Sequence, residues 1–99
     1  MAKTYKTPPD CWQLHLYVTD QTPKSVAALS HLKHLCERHL ADHYKIEVID
    51  LLKHPKRAVL DQILAIPTLV CTWPQPVRRI VGDLSNELRV LAGLHLSAA

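Results

Sequence analysis

Three cysteines, seven histidines and one pair of adjacent arginines are the residues of this 99-residue chain best suited to chemistry. Cys11, Cys36 and Cys71 are odd in number and widely spaced, and no Cys-x-x-Cys occurs. Neither a disulfide framework nor a redox pair is expected, and this usage points to the cytoplasm. Cys36 falls within a helical pattern and reads as a small core hydrophobe. His39 and His43 are four apart and can share a helix face, but His15, His31, His34, His54 and His95 are scattered. Zinc requires three or four converging ligands, so no metal is expected, and no other cofactor. His31 and His34 read as a solvated helix face. There is no Gly-x-Ser-x-Gly, and two glycines cannot build a phosphate-cradling loop. Asp50 closes a strand pattern and reads as a loop-capping carboxylate. Arg78-Arg79 is the sharpest basic spot. It either guards an edge strand or meets an acidic partner. No catalytic constellation emerges, so the chain is expected to bind rather than to catalyse.

The elements that hold these residues follow from periodicity. Trp12 to Val18 alternates with period two and predicts a strand. Thr22-Pro23 opens a helix to about Ala41, with Thr22 as cap. Its broad apolar arc is Val26, Ala28, Leu29, Leu32, Leu35, Cys36 and Leu40. Lys45 to Leu51 predicts a second strand. His54-Pro55 opens a second helix, with Val59, Ile63 and Leu64 as its inner face. Thr68 to Trp73 predicts a third strand, Pro74-Gln75-Pro76 breaks it, and Val77 to Val81 predicts a fourth. Gly82-Asp83-Leu84-Ser85 turns into a last helix to about Leu94, with Ser85 as cap. The order is βαβαββα. The first βαβ unit implies parallel strands, and the short link between strands three and four implies an antiparallel pair. Apolar residues make up 47% of the chain, enough for a core, and the lack of phenylalanine makes that core aliphatic. No apolar run approaches the roughly 20 residues of a membrane span. A net charge of +3 is too small to argue for nucleic acid.

The step Ile66-Pro67-Thr68-Leu69-Val70 resembles the entry, usually through a cis proline, to the third strand of a thioredoxin-type sheet. In thioredoxins the reactive pair lies between the first strand and first helix. Here that stretch is Thr19-Asp20-Gln21-Thr22-Pro23, with no sulfur. A narrower resemblance runs from about Leu14 to Leu94. Its segments are Leu16-Tyr17-Val18, Thr22-Pro23, Ser25-Val26, Ala28-Leu29, Val48-Ile49-Asp50, Ile63-Leu64-Ala65, Pro67-Thr68-Leu69, Pro76 to Asn86, Val90-Leu91 and Gly93-Leu94. The chain is similar to the KaiB family of the cyanobacterial-type circadian clock.

That resemblance implies an α/β, thioredoxin-like single domain, with residues 1–10 a loose lead-in and residues 11–99 the KaiB-like domain. It implies a regulatory protein, not an enzyme, that binds the N-terminal ATPase ring of the hexamer KaiC and modulates its phosphorylation cycle. It implies metamorphic behaviour, with a monomer that binds KaiC and an oligomeric state, dimer or tetramer, in which the C-terminal half repacks. It places partner contacts on Lys56, Asp61, Gln62 and Pro67, with Arg78 and Arg79 as further contacts. Fold preference is placed at Gly93 and His95. Glycine within a helix costs about 1 kcal/mol relative to alanine, so Gly93→Ala is expected to favour the monomer. A protonated His95 at a helix C-terminus is expected to do the same. The departures from the family pattern are Val59-Leu60 in place of two acids, Gln62 in place of lysine, Gln75 within the proline run, and His95 in place of aspartate. Lys45 and Glu47 also depart, on the edge that receives KaiA or a clock histidine kinase in the family, which weighs against those partners. An alternative reading is a KaiB-like interaction or sensor module of a stress-adaptation pathway.

Overall fold

Every second residue of β1 (Trp12–Val18) faces a helical layer. Leu14, Leu16 and Val18 are buried on that side, and Tyr17 is buried on the other. The structure, a computed structural model, describes residues 11–20, 22–41 and 43–96, and the expected lead-in at 1–10 lies outside them. α1 (Pro23–His39) follows, then β2 (Tyr44–Asp50), α2 (Pro55–Leu60), β3 (Thr68–Trp73), β4 (Arg78–Val81) and α3 (Glu87–Gly93). The sheet order is β2-β1-β3-β4. β1 runs parallel to β2 and antiparallel to β3, and β3 runs antiparallel to β4. The expected βαβαββα order and both strand directions are therefore observed. The Ile66–Pro67 peptide is cis, as are those preceding Pro74 and Pro76.

β3 lies inside the sheet with both faces covered, and Thr68, Leu69, Val70 and Cys71 are all buried. One face carries the main core. There α1 lays Ala28, Leu32, Leu35 and Cys36 against Leu14, Leu16, Leu69 and Cys71, and α3 adds Val90 and Leu91. A fully buried leucine contributes about 1.5–3 kcal/mol relative to an exposed one, so this aliphatic layer carries most of the stability. The Thr22 hydroxyl accepts from the Ser25 N–H at 3.2 Å and starts α1 as expected. Val26, assigned to the apolar arc, is instead exposed: the buried stripe begins at Ser25 and Ala28, one position round the helix. The cap of α3 is Asn86, not Ser85. Its side-chain oxygen accepts from Arg89 N–H at 3.2 Å, while Ser85 is bound to Asp83. Among the described residues, the opposite face of the sheet carries only the six-residue α2, over the small cluster Tyr17, Ile49, Ile63 and Val70.

Candidate partner-binding surface

α2 is tied down by polar bonds more than by burial. None of its six residues is buried. Asp50 positions the loop before it, accepting from Asp20 N–H at 3.0 Å and Leu52 N–H at 2.9 Å, the capping role its place at a strand end suggests. Asp61 then anchors the far end. Its Oδ2 accepts the Tyr17 hydroxyl at 2.6 Å and the Arg57 Nε–H at 3.0 Å. The Tyr17 bond holds the Asp61 carboxyl below its ordinary range; burial opposes this and Arg57 reinforces it. Burial, and then the Asp61 bond, push the Tyr17 phenol up.

The helix closes with a paired backbone motif. Ile63 N–H reaches Ala58 C=O at 2.8 Å, and Gln62 N–H reaches Val59 C=O at 3.2 Å. Gln62 sits at φ 57°, in the left-handed region. This is a Schellman ending, and Ile63 packs beside Ala58 as that motif favours. α3 ends in the same way. Leu96 N–H bonds Leu91 C=O at 2.8 Å, His95 N–H bonds Ala92 C=O at 3.1 Å, and His95 has φ 62°.

Arg78 and Arg79 lock these two endings. Neighbours on a strand point to opposite faces. Arg79 donates to Asp61 C=O at 2.6 Å and Gln62 C=O at 3.0 Å, at the end of α2. Arg78 donates to Leu94 C=O at 3.0 Å, at the end of α3, and to Pro74 C=O at 2.7 Å. Its guanidinium also contacts the Cys71 sulfur at 3.1 Å and lies 5.0 Å from the centre of the Trp12 ring. Each arginine thus satisfies carbonyls that a helix end leaves open. Both roles are structural, a third possibility beside edge protection and partner contact. Period-two alternation carried the signal, since two adjacent arginines on an edge strand cannot both face solvent in the same direction.

The other expected site residues separate. Lys56 and Gln62 are exposed. Asp61, expected on the solvent side of the helix opposite Val59 and Ile63, is turned inward to Tyr17. Pro67 is buried and lines a groove of about 450 Å³ beside the start of α1, away from α2. The assigned inner face of α2 holds only at Ile63. Val59 is 78% exposed and Leu64 is 97% exposed, joined by Leu60 at 74% and Leu52 at 66%. A six-residue helix is under two turns, too short for its period to fix which side is buried. These four apolar side chains are the part of the surface that the sequence reading assigned wrongly or missed.

Gly93 does lie in α3, yet not as a neutral helix position. A Cβ there would fall 2.8 Å from Ile80 Cγ1 and 2.9 Å from its Cδ1. The glycine lets α3 approach β4, so replacing it is expected to oppose this packing, the reverse of the helix-propensity expectation. The Arg78 guanidinium lies 3.5 Å from the Nδ1 of His95, at the end of α3.

The buried thiols face core, not solvent. Burial pushes Cys36 up to about 12. It also pushes Cys71 up, with Arg78 opposing. Between β1 and α1 the chain carries no sulfur. The fold therefore defines a thioredoxin-like scaffold with no Cys-x-x-Cys pair in its sequence, and with an exposed apolar helix on its thinner face.

Comparison with known proteins agrees. The KaiB domain model matches residues 15–96. The chain is 52% identical over 96 residues to the circadian clock oscillator protein KaiB of Thermosynechococcus vestitus, covering 97% of this chain and 85% of that protein. It is 49% identical over 90 residues to KaiB of Synechococcus elongatus, covering 91% and 88%. The chain belongs to the KaiB family. In fold it is similar to the N-terminal domain of Synechococcus elongatus SasA, with a TM-score of 0.73, 19% identity and coverage of 100% and 97%. Chloroplastic thioredoxin z matches with a TM-score of 0.67 at 16% identity, covering 87% and 80%. Among the described residues no helix is long and apolar enough to cross a membrane.

Proposed function

We propose that this chain is a non-enzymatic cytoplasmic regulator that docks through α2 onto the N-terminal ATPase ring of a KaiC-type hexamer and modulates its phosphorylation cycle. The observation that carries this reading is the set of apolar side chains Leu52, Val59, Leu60 and Leu64, all exposed on and around a helix fixed by polar bonds. Exposed apolar patches rimmed by charge mark protein contacts. Lys56 and Gln62 flank these side chains as rim contacts, while Asp61 and Arg79 position the helix. The described thioredoxin-like packing is the docking state, in exchange with a homo-oligomer in which the C-terminal half repacks. The cross-ties from β1 and β4 to α2 belong to the docking state.

Binding is tested by calorimetry against the N-terminal rings of several KaiC-type hexamers, with hydrolysable and non-hydrolysable ATP. Leu60→Glu and Leu64→Glu, both at exposed positions, are expected to abolish binding and leave the circular dichroism spectrum unchanged. Binding undiminished by both substitutions overturns this surface. Insulin-reductase activity that disappears on Cys→Ser replacement overturns the non-enzymatic reading.

A further inference from the structure

The end of α2 stands beside a part of the sheet that no helix covers, and between them lies a groove of about 330 Å³. Arg57 and Leu60 line its helix side, and His15, Thr72, Val77 and Arg79 line its sheet side. The two guanidiniums bracket Asp61: Arg57 holds its carboxylate and Arg79 its carbonyl. A guanidinium has five N–H donors in a planar fork that fits a carboxylate. Arg57 uses one on Asp61, and Arg79 uses two on Asp61 and Gln62, so both keep donors for a further oxygen ligand. The one acid of segment 53–62 is Asp61, and the Oδ2 of its carboxylate is taken by Tyr17 and Arg57. Lys53, Lys56 and Arg57 make the same segment basic. Glu47, on the neighbouring strand β2, is the register partner of the groove residue His15 and faces it at 3.5 Å. Of the charged residues that line the groove, the two arginines outnumber the single Asp61, and they stand beside the exposed Leu60 and Val77.

We infer that the partner surface received by α2 is acidic as well as apolar, and that one partner carboxylate enters the groove between Arg57 and Arg79. This rests on the docking reading above and specifies its chemistry. Apolar contacts from Leu60 and Val77 exclude water around the ion pair, which strengthens it. A partially desolvated arginine–carboxylate contact governs the dissociation rate more than the encounter rate.

The test uses the KaiC-type ring that binds the wild-type chain best, at low and at near-physiological salt. Arg57→Glu is expected to weaken binding about tenfold or more, chiefly by faster dissociation, and Arg57→Leu to flatten the salt dependence. The Arg57 side chain is 35% exposed and also ties Asp61, so hydrogen exchange in α2 is compared with wild type in both variants, and weakened binding counts for the groove only where α2 exchanges as in the wild type. Ring binding that Arg57→Glu leaves unchanged overturns the inference while the docking reading stands. If no ring binds the wild type, the docking reading fails, and the groove is decided by a second measurement. Glutarate is titrated into the isotope-labelled chain at constant ionic strength, with chloride as control. Saturable shifts confined to Arg57, Arg79, Gln62 and Tyr17, and lost in Arg57→Leu, support a carboxylate site. Shifts equal to those from chloride, or retained in Arg57→Leu, overturn it.

Discussion

The two faces of the sheet are covered by opposite means. On one, a 17-residue helix and α3 bury a continuous aliphatic layer. On the other, a six-residue helix buries none of its own residues and is held by Tyr17, Asp61, Arg57 and Arg79. Non-directional burial holds a helix only through the apolar surface it removes from water. Directional polar bonds can fix a helix while leaving its apolar side chains outside. The thin face can therefore be ordered and still present a contact surface. The price is a modest hold on α2, because each such bond contributes only about 0.5–3 kcal/mol.

The contrast is broken most directly by matched leucine truncations. Leu16→Ala, at the fully buried centre of the main core, is expected to cost about 2–5 kcal/mol in urea denaturation. Leu64→Ala on the thin face is expected to change stability by no more than about 0.5 kcal/mol. Similar costs at the two positions would mean that Leu64 is buried in solution by a second copy or by the repacked state.

Next in size is Gly93→Ala, which drives a Cβ into buried Ile80. Overpacking of this kind costs about 1–3 kcal/mol, and the substitution is expected to shift sizing chromatography away from the monomer. Adding Ile80→Val is expected to recover part of the loss, since it deletes Cδ1, one of the two Ile80 carbons the new methyl meets. Absence of any recovery would place the strain elsewhere.

Tyr17→Phe keeps the ring in its cluster and removes the hydroxyl from Asp61. A loss of about 1–2 kcal/mol is expected in thermal denaturation, with hydrogen exchange rising first in α2. The Asp61 carboxyl is held low in the folded state, so its contribution is present above the unfolded carboxylate range and lost as pH falls through the folded value. Asp61→Asn is expected to lower stability at neutral pH and to flatten the acid limb below about pH 4. A variant whose acid limb matches the wild type would show that the Tyr17–Asp61 tie is not formed in solution.

The smallest effect concerns the two Schellman endings. His95→Gly relieves a side chain from the left-handed region. It is expected to raise stability by less than about 1 kcal/mol, with some of the gain offset by the greater freedom of glycine in the unfolded chain. A loss of stability instead would show that the contact between Arg78 and the His95 ring outweighs the backbone strain.

The sequence by itself determined the local and the periodic. The alternation of Leu14, Leu16 and Val18 defined β1, Thr22-Pro23 defined the start of α1, and the sequence showed at once that no Cys-x-x-Cys pair follows β1. The matching segments from Leu16-Tyr17-Val18 to Gly93-Leu94, taken together, were specific enough to indicate the family. Only the tertiary structure decided which side of α2 turns to the sheet, because a helix of under two turns averages out no periodic signal. It alone joined Tyr17 to Asp61, 44 residues apart, and turned the aspartate inward. It showed Gly93 as a point of close approach to Ile80, since a glycine carries no mark of what lies opposite it. It also gave Arg78 and Arg79 their separate helix ends. Two adjacent residues on a strand must diverge, but what each then meets depends on chain brought there from elsewhere.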